Sequence, residues 1–149
     1  MESVYYRRLI DDDLDELLDE LPAIAIEGAK GVGKSATALQ RAKTVLRLDD
    51  VADRELLAAY PARLREADRP VLLDEWQRLP ASWDMVRREV DRDPTGGRFL
   101  LTGSATPPPD TPLHSGAGRI DRLRLRPLSL AERKLGPEPT VRLRDLLSG

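Results

Sequence analysis

Cysteine is absent from this chain of 149 residues, and histidine occurs once, as His114. Without thiols there are no disulfides, no zinc–thiolate sites and no thiol catalysis. One imidazole excludes a multi-histidine metal centre. Asparagine is absent too. The N-K-x-D motif by which GTPases recognise guanine therefore does not occur, which favours ATP by elimination. No apolar run approaches the roughly 20 residues of a membrane-spanning helix. No secretory signal is visible either, because the opening MESVYYRRLIDDD turns acidic at once. A cytoplasmic location without membrane contact is the expectation. The net charge is only −2, so no global field draws the chain to nucleic acid.

Against these absences stands the octapeptide GAKGVGKS, Gly28 to Ser35. It fits the phosphate-binding pattern G-x-x-x-x-G-K-[ST]. Gly28, Ala29, Lys30, Gly31, Val32 and Gly33 form the candidate cradle, whose successive N–H groups can make an anion nest. Lys34 supplies a point charge for the β- and γ-phosphates, and Ser35 a hydroxyl for Mg²⁺. Ala36 continues into the helix, whose positive end faces the phosphates. A plain glycine turn would need neither Lys34 nor Ser35. The flanks agree with the motif: AIAIE (Ala23 to Glu27) suits a buried strand, and SATALQRAKT is rich in helix formers. Ala36, Leu39 and Ala42–Lys43 recur at helical spacing and are expected to pack on a sheet.

The rest of the chain alternates in the same way. Leu14, Leu17, Leu18 and Leu21 predict a short helix with Asp11 to Asp13 at its front, the acidic run being its solvated face. Thr44 to Leu48, with VLRL alternating, predicts a second strand, and a helix follows from about Asp53 to Tyr60, with Pro61 separating a second helical piece that runs to Asp68. VLLDEW predicts a third strand, and Pro80 opens a helix with Trp83, Val86 and Val90 on its apolar face. RFLLTGS predicts a fourth strand, Thr106 to Gly118 a Pro-rich loop holding His114, and IDRLRL a fifth strand. A short helix is expected over 128–135. Alternating strands and helices point to a three-layer α/β P-loop NTPase, a mostly parallel sheet with helices on both faces. Ligands of such sheets bind at the carboxyl ends of the strands.

Three polar signals fall at those ends. Lys34 and Ser35 follow the first strand. Asp74 closes the third as a Walker-B aspartate that would hold Mg²⁺ with Ser35. Glu75 beside it can deprotonate an attacking water. Thr102 and Ser104 end the fourth strand, and Thr102 is favoured as the γ-phosphate sensor. Arg119, after the loop, is a candidate for stabilising the transferring phosphate. Arg122, Arg124 and Arg126 share one face of the fifth strand, which reads more simply as a solvated face than as a nucleic-acid stripe.

Together GAKGVGKS, LLDEWQRLPASWDMVRREVD (72–91), FLLTGSATP (99–107) and HSGAGRIDRLRLRPLSLAE (114–132) resemble a family. It is that of the bacterial and archaeal P-loop ATPases of the AAA-domain type that usually carry a C-terminal domain of unknown function. The resemblance implies an additional-strand ATPase core with Glu75 as catalytic carboxylate and Arg119 as a sensor or finger arginine. If Arg119 acts in trans, an oligomer is implied. Family members usually continue well past the position of Gly149. The resemblance thus divides 1–149 into a helical lead-in over 1–21, a nucleotide-binding core over 22–135 and, over 136–149, the start of a missing region. That region would bind a protein partner or nucleic acid. The expected function is ATP binding with Mg²⁺-dependent hydrolysis. The alternative is a non-hydrolysing, nucleotide-dependent interaction module or remnant. A small-molecule kinase and a DNA-coupled ATPase rank lower.

Overall fold

The chain's computed structural model describes residues 4–104, 118–129 and 132. His114, the Pro-rich loop up to 117, the body of the helix expected over 128–135 and the segment 136–149 lie outside the described residues.

Five strands form one sheet: β1 (Ala23–Glu27), β2 (Thr44–Arg47), β3 (Val71–Asp74), β4 (Phe99–Gly103) and β5 (Asp121–Arg124). All pairings are parallel, and the strand order is β2-β3-β4-β1-β5. The helices are α1 (Ile10–Glu20), α2 (Lys34–Leu39), α3 (Val51–Ala59), α4 (Arg63–Glu66) and α5 (Ala81–Arg92), with a 3₁₀ turn at Trp76–Arg78. The expected α/β class, with helices on both faces, is what the structure shows.

Successive strand residues face opposite ways, so each apolar run feeds two cores. Ile24, Ile26, Leu72 and Leu100 meet Leu14 and Leu18 of α1 and Ala38 of α2 on one face. Ala25, Leu73, Phe99 and Leu101 meet Leu57, Leu64, Trp83 and Val86 on the other. Coverage on both faces explains why β1, β3 and β4 read as continuous apolar runs rather than alternating ones. No helix among the described residues is long and apolar enough to cross a membrane.

Three local expectations need correction. The helix after the phosphate loop is only six residues long, and it buries Lys34, Thr37 and Ala38. Ala36 and Leu39 are exposed instead. The chain must already join the sheet at Lys43, whose amide bonds to the Pro70 carbonyl at 2.9 Å, so the helix cannot extend. Asp11 does not belong to the solvated face of α1, because it is buried and accepts from the Tyr5 hydroxyl and the Arg41 guanidinium. Helix α3 starts at Val51 because the Asp50 carboxylate caps the amides of Ala52 and Asp53.

At the far end of the sheet, Arg98 is 1 % exposed. Its Nη1 donates to the carbonyls of Glu89 at 2.5 Å and Asp93 at 2.6 Å, closing the last turn of α5. Its charge lies 3.8 Å from the Glu89 carboxylate and 3.6 Å from that of Asp93. Replacing Arg98 by alanine removes both carbonyl bonds and leaves an empty volume, while Glu89 keeps Arg92 at 2.9 Å and Arg65 at 3.5 Å. The expected loss is about 3 kcal/mol, from the cavity and the unpaired carbonyls, read from urea unfolding. The Asp93 carboxyl is held at about 2, chiefly by the Thr95 hydroxyl and amide, then by Arg69 and Arg98. A lowered folded pKa stabilises above the ordinary value of 3.8 and loses that contribution as pH falls towards about 2. Acid unfolding of Asp93→Asn is expected to be less steep than that of the wild type across this window.

Candidate nucleotide site

Strand β1 runs straight into the phosphate loop, so the loop emerges at the carboxyl end of the sheet. Gly33 adopts φ 103° at the entry to α2, a left-handed geometry that glycine reaches without steric strain. Its conformation lets the loop amides turn inward before the helix begins. Lys34 follows and is 5 % exposed. Its Nζ donates to the carbonyls of Gly28 and Ala29, both at 2.8 Å, so the ammonium spans the base of the loop.

Strand β4 lies between β1 and β3, and that insertion builds the centre of the site. The Asp74 carboxylate, at the end of β3, is 6 % exposed. Its Oδ1 accepts from the Ser35 hydroxyl at 2.5 Å and from the Thr102 hydroxyl at 2.5 Å. The oxygen of Thr102 in turn accepts from the Glu75 amide at 3.3 Å. Arg47, at the end of β2, lies 4.0 Å from the other Asp74 oxygen. The ends of β2, β3 and β4 and the phosphate loop therefore meet around one carboxylate.

Glu75 has φ 57° and ψ 50°, the only left-handed non-glycine residue among those described. Left-handed backbone at a non-glycine residue is held only by its surroundings and clusters at functional sites. Here the surroundings are identifiable. The 3₁₀ turn packs Trp76 into the core, with its ring centroid 4.8 Å from that of Trp83. The Gln77 amide group donates to Glu75 Oε2. A Cβ on Gly103 would lie 2.5 Å from Gln77 Oε1 and 2.8 Å from Trp76 Nε1, so the missing side chain is what lets this turn close on β4.

A cleft of about 490 Å³ opens above these groups. Lys34, Ser35, Glu75, Gln77, Asp49 and Ser104 are in its wall. A second cleft of about 450 Å³ shares Gly31, Gly33 and Ala36 with the first and is walled by Tyr5, Tyr6, Leu39 and Gln40. The phosphate loop is the ridge between them.

A family model described as an AAA domain matches residues 20–134. The chain belongs to this AAA-domain family. The membership supports an AAA-type ATPase core and nucleotide binding, in agreement with the loop and the sheet. A comparison with curated proteins finds no match.

Within this AAA domain the residues anticipated from sequence are distributed unevenly. Lys34, Ser35, Asp74, Glu75 and Thr102 come together. Thr102 is fully buried and works on its neighbours, whereas Ser104 reaches the cleft wall. Arg119 does not join them. It precedes β5, whose first residue pairs with Ile24 near the start of β1, and its guanidinium holds Asp91 at 2.5 Å near the end of α5. That is the end of the sheet opposite the phosphate loop. Arg122, Arg124 and Arg126 are exposed, as expected of a solvated face, and Arg122 also pairs with Glu27 at 3.1 Å and lies over the Trp83 ring. Gln77 was present in the DEWQ string, but its hold on Glu75 depends on the left-handed turn, which no periodicity announces.

Gly103→Ala is expected to destabilise the domain by about 1–3 kcal/mol through overpacking. Tryptophan emission should shift as well, because both tryptophans of the chain lie in this cluster.

Proposed function

We propose that this AAA domain binds ATP with Mg²⁺ and hydrolyses it to ADP and phosphate. The observation that carries the reading is the Asp74 carboxylate, linked at once to the phosphate-loop hydroxyl of Ser35 and, through Thr102, to the Glu75 amide.

The residues present fit the metal. Mg²⁺ takes hard oxygen ligands, few of them from protein and the rest from phosphates and water. Ser35 Oγ, in the cleft wall, and Asp74 Oδ1, 2.5 Å behind it, supply one neutral and one anionic oxygen. Bound there, the ion would neutralise charge on the phosphates. The loop amides from Gly28 to Gly33 cradle the phosphates, Ala36 begins the helix wall, and Lys34 moves its charge from the loop carbonyls to the β- and γ-oxygens. The apolar and aromatic wall of the second cleft, Tyr5, Tyr6 and Leu39, takes the base.

Glu75 is the general base. Gln77 holds its Oε2, which leaves Oε1 to accept a proton as water adds to the γ-phosphorus and the bond to ADP breaks. Thr102 responds to the γ-phosphate through the two groups it touches, Asp74 and the Glu75 amide. Arg119 has no part in this chemistry within one chain. A role for it requires a second copy whose phosphate loop meets this opposite end of the sheet. A cytoplasmic setting, a protein partner and coupling to nucleic acid belong to the same proposal and are not needed by the chemistry.

Two substitutions test the reading by nucleotide titration and phosphate release. Glu75→Gln is expected to bind ATP about as tightly as wild type while turnover drops roughly 10²-fold or more, the usual contribution of a general base. Lys34→Ala should lose most of the ATP affinity. If wild type binds no ATP, the proposal fails. If it binds ATP and releases no phosphate, only the enzymatic part fails.

A further inference from the structure

We infer that Arg8 is a positioning residue that couples the phosphate loop to Arg126 and Glu132, which follow β5 in the chain, with Glu132 as its anchor. Arg8 is 7 % exposed. Its three donor nitrogens go to three places. Nη1 donates to the Val32 carbonyl at 2.9 Å, Nη2 to the Arg126 carbonyl at 2.6 Å, and Nε to Glu132 Oε1 at 3.1 Å. The guanidinium is rigid and planar, so moving one of these acceptors strains the bonds to the others.

The contact on the loop is closely placed. Val32 provides the carbonyl immediately before the left-handed Gly33, and a Cβ on Gly33 would lie 3.1 Å from Arg8 Nη1. Arg8 thus lies against the backbone at the turn that forms the phosphate cradle. The contact on the other side is equally built. The Glu132 side chain is 7 % exposed and also accepts from the amides of Leu9 at 2.9 Å and Ser129 at 2.6 Å. Burial opposes its charge, but these donors, the Ser129 hydroxyl and Arg8 outweigh it and hold the carboxyl at about 2. The anchor is therefore ionised at neutral pH.

A buried ion pair by itself is a weak stabiliser, and packed apolar groups would serve as well. What this one adds is a rigid link between two backbone carbonyls, Val32 and Arg126, that are far apart in sequence. A loop that rearranges around phosphates must carry Val32 with it. Arg8 passes that displacement to Arg126 and Glu132. The link is a property of the chain; only its trigger, nucleotide in the loop, rests on the proposed ATP binding.

Hydrogen exchange on the full chain, followed by mass spectrometry, tests the link without and then with MgATP. Without nucleotide, Glu132→Gln is expected to raise exchange about fivefold in peptides covering Val32–Ser35, the equivalent of one weakened hydrogen bond, although residue 132 does not touch them. Arg8→Ala should raise it in that peptide and in Leu125–Ser129, and Arg8→Lys, lacking the planar fork, should not restore wild-type exchange. Peptides of β3 and β4 serve as the control for intact folding. Changes confined to the substituted residue's own segment overturn the inference, and the near-isosteric Glu132→Gln decides the matter if Arg8→Ala does not fold. With MgATP, wild type should be protected in both segments and Glu132→Gln in the loop alone. Equal protection of both segments in both proteins also overturns it. If MgATP protects neither segment of wild type, ATP binding fails, while the nucleotide-free comparison still decides the role of Arg8.

Discussion

One carboxylate oxygen organises the site. Asp74 Oδ1 receives the hydroxyls of Ser35 and Thr102, and through Thr102 it is tied to the backbone of Glu75. Ser35, the Asp74–Glu75 pair and Thr102 lie far apart in sequence, and they could not meet without the order β3-β4-β1 in the sheet. Had β3 paired directly with β1, the phosphate loop would lie beside Asp74 with no strand end between them to carry a hydroxyl. The interposed β4 supplies Thr102, and its glycine at position 103 leaves room for the turn that presents Glu75. An acidic side chain that is 6 % exposed must be satisfied by hydrogen bonds or by a cation. Here two hydroxyls satisfy one oxygen, and Arg47 stands 4.0 Å from the other.

The two faces of the sheet contribute unequally. The core under α3, α4 and α5 is the larger and includes the paired tryptophans. It fixes the 3₁₀ turn and with it the left-handed Glu75. The face under α1 and α2 carries polar groups as well as leucines. Tyr5, Asp11, Thr37 and Arg41 form a hydrogen-bonded cluster, and Arg8 crosses from the lead-in to the phosphate loop. The N-terminal segment is thus part of the nucleotide-site architecture rather than a helix that merely covers the sheet.

What was legible in the sequence follows from how local each signal is. GAKGVGKS is contiguous, so its loop, its lysine and its serine could be named directly. Val71 to Asp74 reads as an apolar run entering carboxylates, and the structure ends a strand there. Periodicity does not find the buried face of α2, because it counts apolar residues, whereas this helix turns Lys34 and Thr37 inward to serve the loop and Tyr5. The burial of Asp11 is equally invisible to local pattern, since it is offset by Arg41, thirty positions away in the chain. The choice between Thr102 and Ser104 turned on which way each hydroxyl points, and strand ends do not announce that.

By itself the sequence determined the class of fold, the position of the phosphate loop and the residue types around it. These depend on short-range pattern: apolar runs of strand length, glycines at fixed offsets, and a lysine and hydroxyl at the helix start. The tertiary structure decided the partnerships. It joined Ser35, Asp74 and Thr102, gave Gln77 a hold on Glu75, moved Arg119 to the far end of the sheet, and drew Arg8 against the loop. Those outcomes follow from strand order and register, which bring together groups that no spacing along the chain relates.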